Sequence, residues 1–346
     1  MKFNKLGNSD LLVSQLCLGT MTFGEQNTEK EGHDQINYAL TKGVNFIDTA
    51  ELYSVPARAE TYGRTEEIIG SWIKKNRNKR EDIILATKAA GPNDAFEYMR
   101  GVPNFSPQHL RKALHQSLNR LKTDYVDLYQ LHWPERKTNF FGKLGYQHES
   151  DETGTDFDTV VDTLAKFISE GKISYFGLSN ETPWGTMKFI EAAKKRGVAD
   201  KLVSIQNPYS LLNRSYEVGM AEISIREKIG LLAYSPLGFG MLTGKYDDAT
   251  PEDGRLSLFP KMARYSGDLA RETAKRYNQL AKDNGLTPAQ MALAFINSRP
   301  FLTSNIIGAT TMDQLKENLS SVNISLSDEI LTSIEEIHKS APNPAP

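Results

Sequence analysis

Short apolar runs and longer stretches of helical periodicity alternate along this chain. The runs are QLCLGT (15–20), NFIDTA (45–50), IILATK (83–88), VDLYQLH (126–132), ISYFGLSN (173–180), VSIQNP (203–208), GLLAYSPL (230–237) and SNIIGAT (304–310), each the length of a buried strand. Between them lie amphipathic segments. One runs to Leu40, one starts at Thr65 with two glutamates in its first turn, and one has Ser106 as N-cap, Pro107 at its first position and Leu110, Leu114, Leu118 and Leu121 on one face. Others run from Thr159 to Glu170, from the Thr182-Pro183 cap, near 268–283, from the Thr287-Pro288 cap, and from Ser327. Residues 2–14 read as a hairpin around Gly-Asn-Ser, placed to close one end of whatever follows.

Eight strands alternating with helices permit a doubly wound sheet or a closed (β/α)8 barrel. The polar strand ends separate the two. Asp48, Lys88, His132, Asn180, Gln206 and Tyr234 fall at or near the ends of the second to seventh strands, and only a closed barrel gathers sequential strand ends around one opening. The expected fold is therefore an α/β (β/α)8 TIM barrel with an N-terminal β-hairpin and extra helices near the C-terminus. It is read as one domain over residues 1–346. Residues 134–158, between the fourth strand and the next helix, are irregular, polar and aromatic-containing, too long for a plain connector and the best candidate for a substrate-facing loop.

Composition narrows the chemistry. At 346 residues and 39% hydrophobic content the chain buries a large core without disulfides, and its single cysteine, Cys17, excludes an intrachain disulfide and fits a reducing compartment. Forty-one basic and forty-three acidic residues leave a net charge of -2 with no long block of one sign, which argues against nucleic acid or an anionic membrane as partner. A small-molecule ligand is expected. No apolar run reaches the length of a signal peptide or membrane span, so a cytoplasmic location is expected.

The segment NFIDTAELY sets Tyr53 just beyond the strand that carries Asp48. A phenol is a poor proton donor or acceptor at neutral pH; a neighbouring ammonium favours the phenolate, and a carboxylate beyond it holds that ammonium in place. Asp48, Lys88 and Tyr53 suit such a chain, with His132 orienting the oxygen that receives the proton. Other readings remain open. Asp48 and Lys88 fit an ordinary ion pair, Lys88 fits a Schiff-base aldolase, and Asp48, Glu51 and His132 fit a metal hydrolase more loosely.

FIDTAELY, the Lys88 and His132 strand ends, Trp133, GLSN and IIGATTMDQLKENL together resemble the aldo-keto reductase family over essentially the whole chain. GTMTFGEQN, HWPERKTNFFGKLGY and QNPYSLLNR are similar to its bacterial Tas-like branch, with more distant likeness to voltage-gated potassium channel beta subunits. The resemblance implies an NADP(H)-dependent carbonyl reductase in which Tyr53 gives the proton, Lys88 and Asp48 lower the tyrosine's pKa, His132 orients the carbonyl, and no metal takes part.

It also implies a cofactor site. Ser179, Asn180 and Gln206 would face the nicotinamide carboxamide, Tyr234 its ring, and Gly19, Thr20 and Met21 its ribose, with Gln26 and Asp48 nearby. Ser235, Pro236, Leu237, Gly238, Gly240, Leu242 and Lys245 would follow the pyrophosphate, and Gly308, Ala309, Thr310, Gln314, Glu317 and Asn318 the adenosine. Many family members have a lysine or arginine for the 2'-phosphate in the segment that here reads GATTMDQ, so Lys245 and Arg255 become the candidates for that contact. Trp133, Phe140, Phe141 and Tyr146 make a candidate substrate wall suited to hydrophobic or aromatic carbonyls. A cofactor-binding regulatory subunit with little turnover is the other reading that the resemblance allows.

Overall fold

A computed structural model describes residues 1–149, 154–252, 254–258 and 263–346. The part of the 134–158 segment at 150–153 lies outside the described residues. The strands are β1 (Phe3–Lys5), β2 (Leu12–Ser14), β3 (Leu16–Gly19), β4 (Phe46–Asp48), β5 (Ile84–Ala89), β6 (Val126–Leu131), β7 (Ile173–Ser179), β8 (Leu202–Pro208), β9 (Gly230–Tyr234) and β10 (Leu302–Ile307). β3 to β10 pair in sequence order, all parallel, and β10 closes onto β3. This is the (β/α)8 barrel that the strand ends called for.

The helices are α1 (Glu29–Thr41), α2 (Arg64–Lys75), α3 (Glu97–Arg100), α4 (Pro107–Leu121), α5 (Phe157–Ser169), α6 (Pro183–Arg196), α7 (Tyr216–Arg226), α8 (Arg255–Leu258), α9 (Asp268–Asp283), α10 (Pro288–Asn297), α11 (Met312–Ser320) and α12 (Asp328–Ser340). Leu110, Leu114, Leu118 and Leu121 are all buried, as their spacing requires. Ser106 does stand at the N-cap of α4, but its hydroxyl donates to Asn104 Oδ1 (2.6 Å) and caps nothing. α5 opens two residues earlier than its periodicity suggests, because Asp156 accepts from the Thr159 amide (2.9 Å) and so sets the first turn.

β1 and β2 pair antiparallel, Phe3 opposite Ser14, and cap the N-terminal end of the barrel. Leu6 and Val13 join Cys17, Phe46, Ile84, Ala86, Leu128, Val203, Leu232 and Ile306 in one buried cluster, the floor of the barrel interior. Gly7 makes the turn at a φ of +56°, where a Cβ would lie 2.8 Å from the Lys228 carbonyl oxygen and closer still to that of Val203, so no other residue fits. Asn45 then ties the hairpin to β4, accepting from the Ser14 amide (2.8 Å) and donating to the Leu12 carbonyl (2.8 Å).

Alternation along each strand carries this floor up to a polar rim. Phe46 is followed two residues on by Asp48, Ala86 by Lys88, Leu128 by Gln130 and then His132, and Leu232 by Tyr234. Period two puts each pair on the same inward face, so an apolar plug continues into a layer of ionisable and amide side chains at the C-terminal mouth. No helix among the described residues is long and apolar enough to cross a membrane.

Candidate active site

Lys88 is the centre of the rim. Its ammonium donates to Asp48 Oδ2 (2.6 Å) and to the Thr49 carbonyl (2.8 Å), and it lies 4.9 Å from the centre of the Tyr53 ring. Lys88 has no exposed surface and Asp48 almost none. Burial opposes the charged lysine, but Asp48 and Tyr53 outweigh it and leave its pKa above the ordinary lysine value. Asp48 Oδ1 accepts two further bonds, from Gln206 Nε2 (2.8 Å) and Gln130 Nε2 (3.1 Å).

Tyr53 departs from expectation in one respect. Burial raises its pKa, Lys88 lowers it, and the balance is a phenol above its usual value. The ammonium limits the rise without reversing it. His132 meets the Tyr53 ring edge-on at 5.8 Å, and its Nδ1 is buried with no hydrogen-bond partner among the described residues. Burial first, then the Lys88 charge, hold His132 well below the usual imidazole value, so the ring is neutral at neutral pH.

Asn180 and Ser235, at the ends of β7 and β9, adopt φ of +55° and +53°, left-handed geometry that asparagine tolerates and serine seldom takes. The Asn180 amide donates to the His132 carbonyl (2.8 Å) and to Ser179 Oγ (3.1 Å), while its Oδ1 accepts from the Tyr234 hydroxyl (2.7 Å). Ser179 Oγ donates to the Gln206 carbonyl (2.8 Å). Burial raises the Tyr234 pKa, with Arg264 opposing.

On the opposite wall Thr20 Oγ1 donates to the Asp48 carbonyl (2.8 Å), Gly19 is close enough to Ile306 that a Cβ would sit 2.7 Å from its side chain, and the Met21 carbonyl accepts from Val55 (3.0 Å). Gln26 Oε1 is buried and accepts no hydrogen bond among the described residues. The segment 235–245 turns sharply after β9: Pro236 and Leu237 lead into Gly238 and Gly240, at φ of +53° and +95°, and Leu242 is buried beneath. Beyond β10, Asn318 donates to the Gly308 carbonyl (3.1 Å), Gln35 to that of Ala309 (3.1 Å) and Asn27 to that of Thr310 (2.9 Å). Gln314 Oε1 accepts from the Thr310 amide (2.9 Å), and Glu317 lies on α11 with Asn318.

The Lys245 ammonium stands 5.0 Å from the Tyr246 ring centre, and Tyr246 is among the groups whose charge acts on Arg255. Arg255 lies 5.3 Å from the Phe239 ring, and its charge is the weakest of the influences on the Tyr53 phenol. Burial holds its pKa below the usual arginine value.

Three of the four expected wall residues come together and one does not. Trp133 packs against His132 (4.9 Å) and Phe141 (6.0 Å), and Phe141 against Phe140 (5.1 Å). Tyr146 stands apart from this cluster, 60% exposed, with its hydroxyl paired to His148 Nδ1 (3.0 Å). Phe96, 6.0 Å from Trp133, joins the wall instead, with Tyr98 and Tyr62 behind it. The signal for Phe96 was its place in PNDAFEYMR, directly after the Lys88 strand and so on the same rim. Gln130, also unforeseen, was marked by standing two residues before His132. Glu51, a ligand in the metal reading, turns away from Asp48 and His132 to a fully buried ion pair with Arg100 (2.6 Å).

A closed parallel barrel with an acid, a lysine, a tyrosine and a neutral imidazole around its C-terminal mouth defines an enzyme-like (β/α)8 protein. The chain belongs to the aldo/keto reductase family, whose model matches residues 15–339. It is 48% identical to Protein tas of Escherichia coli strain K12 over 100% of both chains. It is 35% identical to the uncharacterized oxidoreductase YrpG of Bacillus subtilis, covering 97% of this chain and 96% of that one, and 32% identical to a probable voltage-gated potassium channel subunit beta of Arabidopsis thaliana, covering 99% and 98%.

Proposed function

We propose that this protein is an NADPH-dependent reductase of aldehydes or ketones, with Tyr53 as proton donor and Lys88, Asp48 and His132 as its supporting set. The observation that carries the reading is the buried Lys88 ammonium, bridged to Asp48 Oδ2 at 2.6 Å and set against the Tyr53 ring beside a neutral His132. When bound, the nicotinamide supplies the hydride. The phenol, protonated across the neutral range, gives its proton to the carbonyl oxygen as charge develops there, and the Lys88 charge stabilises the phenolate left behind. His132, neutral and with no partner at Nδ1 among the described residues, is suited to orient the carbonyl without adding a second charge.

The rim fits a nicotinamide dinucleotide. Gln206 Oε1 accepts no hydrogen bond among the described residues, Asn180 Oδ1 keeps a lone pair after accepting from Tyr234, Gln26 Oε1 is an orphaned acceptor, and a Cβ at Gly308 would meet nothing within 4 Å. Trp133, Phe96, Phe140 and Phe141 favour an aromatic or hydrophobic carbonyl compound. The aldolase reading needs a lysine that is accessible and lowered in pKa; Lys88 is sealed and raised.

A second reading, a cofactor-binding subunit with little turnover, has the likeness to the Arabidopsis protein in its favour. One experiment separates the two. NADPH carrying deuterium at C4 is incubated with the protein and a panel of aromatic and aliphatic aldehydes; deuterium in the product alcohol is expected. Saturable NADPH binding with no labelled alcohol from any aldehyde would favour the subunit, and no binding would remove both.

A further inference from the structure

We infer that Gln130 is a positioning residue that fixes which end of the Gln206 amide faces the cofactor. This rests on the proposed reading that Gln206 meets a nicotinamide carboxamide. Gln130 lies in the middle layer of the barrel with no exposed surface, between Asp48 and Gln206. Its Nε2 donates to Asp48 Oδ1 (3.1 Å) and its Oε1 accepts from Gln206 Nε2 (3.2 Å), while Gln206 Nε2 also donates to Asp48 Oδ1 (2.8 Å).

The orientation of the Gln206 amide follows from chemistry alone. Asp48 is already bound to the Lys88 ammonium through Oδ2, and a carboxylate only accepts. The Gln206 nitrogen, with two hydrogens, must therefore turn toward Asp48. One hydrogen goes to the carboxylate, and the second would be left unpaired in a buried layer were it not for Gln130 Oε1. With both hydrogens held, Oε1 is the only end of Gln206 left to face the mouth. An acceptor there recognises the N–H2 of a carboxamide and discriminates against a ring substituent that lacks it.

The same triangle joins the cofactor side of the site to the proton-donor side. Asp48 takes amide bonds from Gln130 and Gln206 on one oxygen and the Lys88 ammonium on the other, so Gln130 contributes to the placement of both Gln206 and Lys88. Without the Gln130 acceptor, the Gln206 amide is free to rotate, and its presentation to the mouth is no longer single.

The test is a binding ratio read without turnover. Dissociation constants for NADP+ and for its 3-acetylpyridine analogue, which replaces the amide nitrogen by a methyl group, are measured by fluorescence quenching for wild type, Gln130→Met and Gln130→Glu. Wild type is expected to prefer NADP+ by roughly tenfold, the worth of one hydrogen bond. Gln130→Met should bring the ratio close to one, and adding Gln206→Ala should change it no further. Gln130→Glu, protonated beside Asp48 so that its hydroxyl takes over the bond to Asp48 Oδ1, keeps an acceptor for Gln206 and should keep the preference, which separates orientation from packing should the methionine variant fold poorly. A folded Gln130→Met that retains the wild-type ratio, equal loss of preference in the Met and Glu variants, or a wild type that binds both cofactors equally would overturn the inference. Failure of wild type to bind either would instead remove the oxidoreductase reading on which it rests.

Discussion

At the scale of single residues, the consequence of the site is where its protons sit. Because burial keeps the Tyr53 phenol above its usual pKa despite Lys88, carbonyl reduction should show no loss of activity from deprotonation of Tyr53 across the neutral range. Alcohol oxidation requires the phenolate and should keep rising with pH beyond 9, which pH–rate profiles of the two directions will show. His132 has a stability signature. Its folded pKa is depressed, so below an unfolded value of about 6.5 the unfolded chain binds the extra proton and stability falls with pH. Urea unfolding at pH 7 and pH 5 should show that loss, and His132→Asn should reduce it by on the order of 2 kcal/mol. An unchanged difference would mean that His132 is not held neutral.

At the scale of elements, the loop after β6 is the part that most needs tethers. Glu135 accepts from the Phe105 amide (2.7 Å) at the start of α4 and from the Thr155 amide (2.9 Å) at the loop's far end, and Arg136 bonds to Glu181 Oε2 (2.9 Å) and Thr182 Oγ1 (2.9 Å) before α6. Two carboxylates thus pin the segment that sets Phe141 against Trp133 and Phe140 against Phe141. Glu135→Ala leaves two amides unpaired, at about 1–3 kcal/mol each, so limited proteolysis between 136 and 149 should accelerate at least tenfold with a smaller change in global melting temperature. Equal protease resistance would show that Glu135 is not the tether.

The barrel strands were legible because period two and polar ends coincide on the same residues, as in Phe46 and Asp48. α7 was not, since only Tyr216, Met220 and Ser224 are buried, a single narrow stripe interrupted by Gly219. The exclusion of Tyr146 from the aromatic wall was equally hidden. Loop tips carry no periodicity, and which aromatic turns inward depends on contacts such as Phe141 with Trp133 that join distant segments. The net pKa of Tyr53 was misjudged for a related reason: sequence supplies the neighbouring charge but not the desolvation that outweighs it.

At the scale of the whole molecule, the architecture divides labour between the ends of one barrel. Leu6 and Val13 plug the floor, the eight-stranded wall holds an apolar layer, and Asp48, Lys88 and His132 gather at the rim. The cofactor preference belongs to this scale, because Lys245 and Arg255 arrive from the long excursion between β9 and β10. If they meet the 2'-phosphate, Lys245→Ala with Arg255→Ala should weaken NADPH far more than NADH, by at least tenfold for charge-assisted bonds worth about 1.5–3 kcal/mol. Equal losses for the two cofactors would place the phosphate elsewhere, and a loss of turnover without loss of NADPH affinity would assign Arg255 to the Tyr53 end of the site.

The most direct measurement is carbonyl turnover by Tyr53→Phe, with NADPH affinity measured on the same preparation. The substitution keeps the ring that faces Lys88 and removes the transferable proton. Aldehyde reduction should fall by roughly 10²- to 10⁴-fold with NADPH binding nearly unchanged. A Tyr53→Phe protein that still reduces aldehydes at close to the wild-type rate would contradict the assignment.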